Sequence, residues 1–451
     1  MRRFITIPTL FAIAWWLTPL SGEESPPNIV FILADDMGYG DLGSYGCPDA
    51  NTPVIDQLAR DGVRFTQFYA NGAECTPSRT ALLTGRYPQR AGGLECAIGT
   101  GNVGRYDDAI RLAGANELGL PANQALLPGK LVDRGYNTGI FGKWHLGYET
   151  KFNPLEFGWN KFFGVLGGNC DYFTHKELSP LPVLFEDRTA VEREGYMTHL
   201  ITDAAISFLE TQKKASKTPF LLYVPYTTPH FPFQTPDDTE TVYNEENFTS
   251  GTRKNYAAML EDLDQQVGRL LEALAKNDQA DNTLVAFASD HGAMKPGRNL
   301  PLNGFKGGLF EGGIRAPLMV RWPDKIKPGQ VCHQSATMID FTASILQIAD
   351  VDTGDLKLDG IDILSHVRSG KADFERTHFW RARRGDRTWR AVRDGSMKYI
   401  HRVENGITDT WLFDLAKDPG EKENLVSMDR TRTEHLANLL GTWEKETPAE
   451  R

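Results

Sequence analysis

The sequence predicts an α/β fold, with a large mixed, mainly parallel sheet sandwiched by helices and a smaller C-terminal α+β domain carrying an antiparallel sheet. Three observations predict it. Short continuous apolar runs, each ending in polar residues, recur before residue 370, as buried strands of a parallel sheet do. Helical patterns alternate with those runs, which favours a sandwich. Beyond residue 370, apolar, aromatic and basic residues alternate around turn dipeptides, which reads as hairpins.

Asn28–Ala34 (NIVFILA) ends in Asp35-Asp36 and residues 137–142 end in Lys143-Trp144-His145. Phe220–Pro225 (FLLYVP) leads to Pro229-His230, and Thr283–Ser289 (TLVAFAS) ends in Asp290-His291. Ligands of open α/β sheets bind beyond the carboxyl ends of the strands, so four runs delivering polar residues at one end form a constellation. Thr52-Pro53 starts a helix through Leu58, and residues 256–276 place Met259, Leu260, Leu263, Val267, Leu270, Leu271 and Leu274 on one apolar stripe. Thr76 suits an N-cap and Pro77 the first helical position, so a helix is expected from Ser78 to Leu83. Position 75 then lies just before a helix N-terminus, where unpaired N–H groups and the helix dipole favour an anion. Residues 378–402 should form hairpins about Gly385-Asp386 and Asp394-Gly395, followed by a strand at 411–415 and a closing helix at 432–443. The expected organisation is a catalytic domain over residues 27–370 and a smaller domain over 371–451.

A chain of 451 residues can bury one large core and a second, smaller one. With 49 Lys and Arg against 59 Asp and Glu, its net charge of −10 makes it a poor general attractor of polyanions, and nucleic acid is not an expected partner. Arg2 and Arg3 precede an apolar stretch over residues 4–17, which reads as a secretory signal, residues 1–22, cleaved near Gly22. That stretch is short for a membrane span and Pro8 interrupts it, so a secreted or periplasmic protein is expected. Five cysteines are present; with Cys75 set aside, Cys47, Cys96, Cys170 and Cys332 could form disulfides in three ways, and their spacing matches no structural zinc site.

The strongest motif is Cys75-Thr76-Pro77-Ser78-Arg79, extending to Arg86 as CTPSRTALLTGR. A buried or redox cysteine at a turn is the plain alternative for such a run alone. Arg79, one turn in, offers a forked, permanently charged donor set. Asp35-Asp36 would repel each other at a strand end unless a cation sits between them, and hard oxygen ligands favour Ca²⁺ or Mg²⁺. Lys143 and His145, two apart on an extended segment, should point the same way. His230 stands in TPHFP, and Lys306 in GFKGG, whose glycines permit close backbone approach to an anion.

Together these runs resemble the type I, formylglycine-dependent sulfatases of the alkaline phosphatase superfamily. CTPSR resembles the run in which such enzymes convert a cysteine to formylglycine, and residues 135–147 (GYNTGIFGKWHLG) resemble the family's second signature. The resemblance covers essentially the whole mature chain. It departs at Glu74, where a smaller residue usually precedes the cysteine, and His291 stands where many members carry Asn. It implies an alkaline phosphatase-like fold and hydrolysis of sulfate monoesters, of a sulfated carbohydrate or an aryl alcohol. It also implies a formylglycine-generating enzyme as partner, Ca²⁺ (or Mg²⁺) held by Asp35, Asp36, Cys75, Asp290 and His291, and catalytic roles for Cys75, Arg79, Lys143, His145, His230 and Lys306.

Two other readings compete. A phosphodiesterase or phosphonate monoester hydrolase could use the same nucleophile, and a catalytically silent protein could bind sulfated glycans, although none of the catalytic residue types is missing. Six arginines between Arg381 and Arg393 form the one conspicuous basic cluster; for most of them, a sheet face paired with nearby acids is expected rather than a polysaccharide subsite.

Overall fold

Strand β1 (Asn28–Ala34) is buried along nearly its whole length, as expected of a run that is apolar at every position but the first. The computed structural model describes residues 25–92, 94–99, 107–124, 126–177, 182–212, 218–238 and 249–448; the expected signal, residues 1–22, lies outside them. After β1 come β2 (Val63–Tyr69), β3 (Asn137–Phe141), β4 (Lys161–Val165), β5 (Leu184–Glu186) and β6 (Thr189–Ala190). They are followed by β7 (Phe220–Pro225), β8 (Thr283–Ser289), β9 (Arg315–Arg321), β10 (Gln330–Cys332) and β11 (Ala336–Thr337). These eleven strands form one sheet in the order β10-β2-β9-β8-β1-β7-β3-β4-β5-β6, with β11 beside β2.

The sheet is mixed. β8, β1, β7, β3 and β4 run parallel, whereas β9 is antiparallel to both β8 and β2. Register pairs Ile29 with Leu221 on one side and with Leu284 on the other, so the four strands expected to carry polar residues end at the same edge. Alternate residues face two cores. Phe31 and Leu33 pack with Leu82 and Leu83 of helix Cys75–Thr84 and with Phe341 and Ile345 of helix Met338–Ile348. Val30 and Ile32 pack with Met259, Leu263 and Val267 of helix Arg253–Lys276, with Leu271 at the margin. Helix Pro53–Asp61 opens on its proline as expected, and helix Arg253–Lys276 begins three residues before the expected start, where Thr252 and Asn255 cap it reciprocally.

The C-terminal strands β12 (Thr377–Arg384), β13 (Arg387–Asp394), β14 (Met397–Glu404) and β15 (Ile407–Asp414) form an antiparallel sheet in sequence order. Each two-residue turn holds a left-handed residue, Gly385, Gly395 or the Asn405-Gly406 pair, as tight hairpins require. Helix Arg430–Glu446 covers one face through Leu436, Leu440 and Trp443. The cysteines form no disulfide: Cys47 is half-buried beside Arg253, while Cys75, Cys96, Cys170 and Cys332 are buried as free thiols. Among the described residues, no helix is long and apolar enough to cross a membrane.

A buried charge network joins the two sheets. Lys398, fully buried on β14, donates to Glu311 Oε1 at 2.8 Å and Glu421 Oε1 at 2.9 Å, and Glu421 Oε2 accepts the Glu311 amide at 2.6 Å. Glu311 also takes the Tyr69 hydroxyl from β2 at 2.7 Å and pairs with Arg315 at 3.1 Å. Burial pushes both carboxyls up, yet Lys398 and Arg315 hold Glu311 down at about 2, while Glu421 stays at about 7. Lys398→Ala would leave two buried carboxyls facing each other without their cation. Stability should fall by about 3–5 kcal/mol, read as a lower denaturant midpoint at unchanged slope; a loss below about 1 kcal/mol would show that this network is not a buried one.

Candidate active site

The polar residues that follow the parallel strands converge at one point. Asp35 and Asp36 continue from β1, and Asp290 and His291 from β8; the ladder extends past both strand ends, with Asp35 N donating to Thr228 O at 3.0 Å and Asp290 N to Ala34 O at 3.1 Å. Asp36 turns out of the strand in a left-handed conformation, and its amide donates to Asp290 Oδ1 at 3.1 Å. Lys143 follows Gly142, at φ +133°, where a Cβ would stand 2.0 Å from Pro225 O. Only glycine permits the approach that lets Lys143 N bond Pro225 O at 2.6 Å.

The helix expected from Ser78 begins at Cys75, with Glu74 as its N-cap residue. Thr76 does not cap: its hydroxyl donates to His145 O at 3.0 Å and accepts from Ile98 N at 3.2 Å. Residue 75 is therefore the first residue of the helix rather than the one before it, still among the unpaired N–H groups of its first turn.

Cys75 Sγ lies 3.3 Å from His291 Nε2, 3.3 Å from Lys143 Nζ, 3.4 Å from Asp35 Oδ1 and 3.7 Å from Lys306 Nζ. Lys143 Nζ also reaches Asp35 at 2.6 Å, Lys306 Nζ spans both Asp36 oxygens at 2.7 and 2.8 Å, and Arg79 joins Asp290 at 3.2 Å to Asp35 at 3.5 Å. His230 Nε2 is 3.2 Å from Lys306 Nζ and 3.6 Å from Asp36. All the residues expected at the site are thus brought together, and all are buried except Lys306, whose side chain is 16% exposed.

The charges decide what the cluster can do. Burial pushes Asp35 well up and Asp36 up despite the two lysines, whereas His291 and Arg79 hold Asp290 below the usual carboxylate range against its own burial. Burial would also raise the Cys75 thiol, but Lys143, Lys306 and His291 outweigh it and hold it well below a normal thiol. The site therefore favours negative charge on the side chain of residue 75.

His145 does not lie on an extended segment. Its φ is +60°, and the left-handed turn aims the imidazole back at residue 75, converging with Lys143 by a route other than strand alternation. Its Nε2 lies 2.6 Å from Ile98 O, an acceptor only, so Nε2 carries the hydrogen. Burial and Lys143 hold the ring at about 4 against the pull of the nearby Cys75 sulfur, so Nδ1 carries a lone pair, and no hydrogen-bond partner of normal geometry claims it. In His230, Nδ1 lies 2.8 Å from Phe231 O and so carries the hydrogen, which leaves Nε2 to accept from Lys306. Burial, Lys306 and Lys143 keep that ring neutral, well below its ordinary pKa.

The donor set fits a divalent cation. Ligand atoms of Asp35, Asp36, Cys75 and His230 lie within 4.8 Å of one another, as do those of Cys75, Asp290 and His291. The raised Asp35 and Asp36 mark buried negative charge short of compensation, and His291, lifted to about 10 by Asp290 and Cys75 against its burial, holds a proton that a metal would replace. Sequence reasoning missed Ile98, which lies in no motif, and did not show that the acid Arg384 pairs with, at 2.6 Å, is Glu74 beside Cys75.

A sulfatase family model matches residues 27–351, more than half of the chain. The chain belongs to the sulfatase family. It is a sulfuric ester hydrolase, and a second model, for the N-sulphoglucosamine sulphohydrolase C-terminal region, matches residues 305–445. This sulfatase is 31% identical to the human N-acetylgalactosamine-6-sulfatase over 95% of its own chain and 87% of that protein. It is 32% identical to human arylsulfatase A, over 89% and 83%. The solved structure of Ps i-CgsB in complex with k-i-k-neocarrahexaose is similar at a TM-score of 0.80 and 28% identity, covering 93% of this chain and 92% of that one. The phosphonate monoester hydrolase of Agrobacterium radiobacter, at 20% identity and a TM-score of 0.68, over 93% of this chain and 96% of that one, shares the fold.

A Cβ on Gly168 would stand 2.7 Å from His145 Cε1 and Nε2. Gly168→Ala should therefore displace the imidazole and lower kcat on the order of 100-fold, with little change in melting temperature. Near-normal turnover in the folded variant would show that the position of His145 does not matter.

Proposed function

We propose that this sulfatase removes sulfate from a sulfated carbohydrate outside the cytoplasm, with residue 75 as formylglycine and Ca²⁺ (Mg²⁺ as the alternative) at the carboxylate cluster. The observation that carries this is the surround of Cys75, a buried first-turn residue ringed by Lys143, Lys306, His291 and Asp35. Two of the similar proteins, N-acetylgalactosamine-6-sulfatase and a complex with a neocarrahexaose, support a sugar alcohol, and arylsulfatase A keeps an aryl alcohol as the alternative. Arg2, Arg3 and the apolar run after them support export, and the change of texture near residue 370 supports a separate C-terminal domain from 371.

In this reading a formylglycine-generating enzyme oxidises Cys75, and the hydrated aldehyde presents two hydroxyls. One attacks sulfur and gives its proton to Asp290. Arg79, Lys143 and Lys306 face the charge that develops on the sulfuryl oxygens. The ammonium of Lys306, hydrogen-bonded to His230, protonates the departing alcohol oxygen. His145 Nδ1, with its free lone pair, then takes the proton of the second hydroxyl; the C=O bond re-forms, the C–O bond to sulfate breaks, and sulfate leaves. A divalent ion bound by Asp35, Asp36, residue 75, Asp290 and His291 would supply Lewis-acid stabilisation of negative oxygens.

Protein produced with a formylglycine-generating enzyme should show an aldehyde at residue 75 by peptide mass and hydrolyse sulfated sugars. Chelation should abolish turnover and added Ca²⁺ or Mg²⁺ restore it. Full activity with an intact thiol, or in metal-free protein, would overturn this proposal.

The two histidines should separate kinetically. His145→Ala should accumulate a covalent sulfate on residue 75, seen by intact mass after brief incubation with an aryl sulfate. His230→Ala should lose kcat/KM most for alcohols of high pKa, such as sugars. A His145→Ala defect that follows leaving-group pKa, with no trapped sulfate, would reverse the two assignments.

A further inference from the structure

The six arginines of the β12–β13 hairpin are not equivalent. Five have close partners: Arg381 and Arg383 share the buried Glu95 at 2.7 and 2.9 Å, Arg384 holds Glu74 at 2.6 Å, and Arg390 holds Glu444 at 2.9 Å. Arg393 donates to the Tyr69 hydroxyl at 2.5 Å and also to Gln67. The first four form the acid-paired sheet face expected of them, and Arg393 is buried against neutral partners. Arg387 differs. Among the described residues the one ion pair it makes is a loose one with Glu404 at 3.9 Å, beyond hydrogen-bond distance, and Arg402 also draws on Glu404, at 3.5 Å.

Its place in the fold is specific. Arg387 opens β13, directly after the Gly385-Asp386 turn. A Cβ on Gly307 would stand 3.5 Å from Arg387 Nη2 and 3.9 Å from Glu74 Oε1. The guanidinium thus rests against the backbone next to Lys306, while Glu74, the residue before Cys75, approaches the same point. About 30% of the Arg387 side chain is exposed. A loosely paired, partly exposed cation beside the Lys306 loop adds little to holding a hairpin together. It suits a residue that meets an anion arriving with the substrate.

We infer that Arg387 binds a second anionic group, a sulfate or a carboxylate, carried by the alcohol that leaves, so that the preferred substrates are sulfate esters of alcohols that are themselves anionic. This rests on the proposed function, which places Lys306 at the leaving oxygen. The guanidinium fork matches both anions in two-point geometry. Because the group is partly exposed, its preference is open to screening by salt.

The test compares kcat/KM for a monosulfated sugar, for the same sugar with a second sulfate, and for a disaccharide bearing a neighbouring uronic carboxylate. The protein is the formylglycine-containing wild type, Arg387→Gln and Arg387→Lys. Wild type should favour at least one anionic alcohol over the neutral one, and Arg387→Gln should lose roughly tenfold of that preference, chiefly in KM. Arg387→Lys should keep part of it, and salt at about 0.5 M should erode it in wild type and Arg387→Lys but not in Arg387→Gln. Loss with the disulfated or the uronate substrate alone supports the inference and identifies the anion. Equal losses on all three substrates, an unchanged preference, or a wild type with none would each overturn it while leaving the sulfatase mechanism intact. A wild type inactive on every sulfate ester would overturn both.

Discussion

The structure depends on the burial of three carboxylates, Asp35, Asp36 and Asp290, at the adjoining ends of two neighbouring parallel strands. Taking one such charge out of water costs several kcal/mol even after relaxation, and grouping like charges adds to it. No local feature of β1 or β8 supplies compensation. Relief comes chiefly from cations delivered by other parts of the chain, Lys143 after β3, Arg79 from the helix after β2 and Lys306 from the loop beyond β8, with the adjacent His291 helping Asp290. The order β8-β1-β7-β3 and the shared register are what set those side chains within reach of one another. The fold can be described as the scaffold that makes a dense, buried set of opposite charges tolerable, and residue 75 inherits its chemistry from that set.

Much of this was legible in the sequence because the informative signals are local. A buried parallel strand reads as an unbroken apolar run, and β1, β7 and β8 begin and end where their runs do. Long amphipathic stripes locate the covering helix over 253–276. The antiparallel strand β9 is harder to see, since it opens on Arg315 and contains Pro317, which argues against a strand interior. Its pairing with β2 shifts register between Phe65 and Phe68, across from Pro317, so the residue that lacks an N–H falls at a bulge where the ladder is already interrupted. Such compensation is invisible until both strands are placed.

The site shows the same division. Residue types and their nearness could be read from the strand ends, but not how His145 arrives. Strand alternation would bring it to the same side as Lys143; instead a left-handed residue does so, with Ile98 O fixing the ring's tautomer. Ile98 lies 47 positions away and in no motif. The helix start at Cys75 was displaced for a similar reason. Thr76 has the chemistry of a cap, but tertiary partners at residues 98 and 145 claim its hydroxyl first. Local propensity names what a side chain can do, and long-range geometry decides which of those options is used.

Glu74 makes this argument most fully. As a departure from the family pattern it has no local explanation. In the fold it answers Arg384, 310 positions later, and the same Oε2 also accepts from the Ala97 amide at 2.8 Å. The segment that carries Cys75 is thereby fastened to the C-terminal sheet. A second fastening lies at Glu311, where Lys398 and Glu421 hold the start of the short helix that follows the Lys306 loop. Trp389 lies close against Gly308 between the two. Residue 75 and Lys306 both sit on segments gripped by the second sheet. Its charged hairpins therefore do more than cover a face of the molecule, because the spacing of residue 75 from Lys306 depends on them. A larger residue before the cysteine is tolerated here because the second sheet provides its counter-charge.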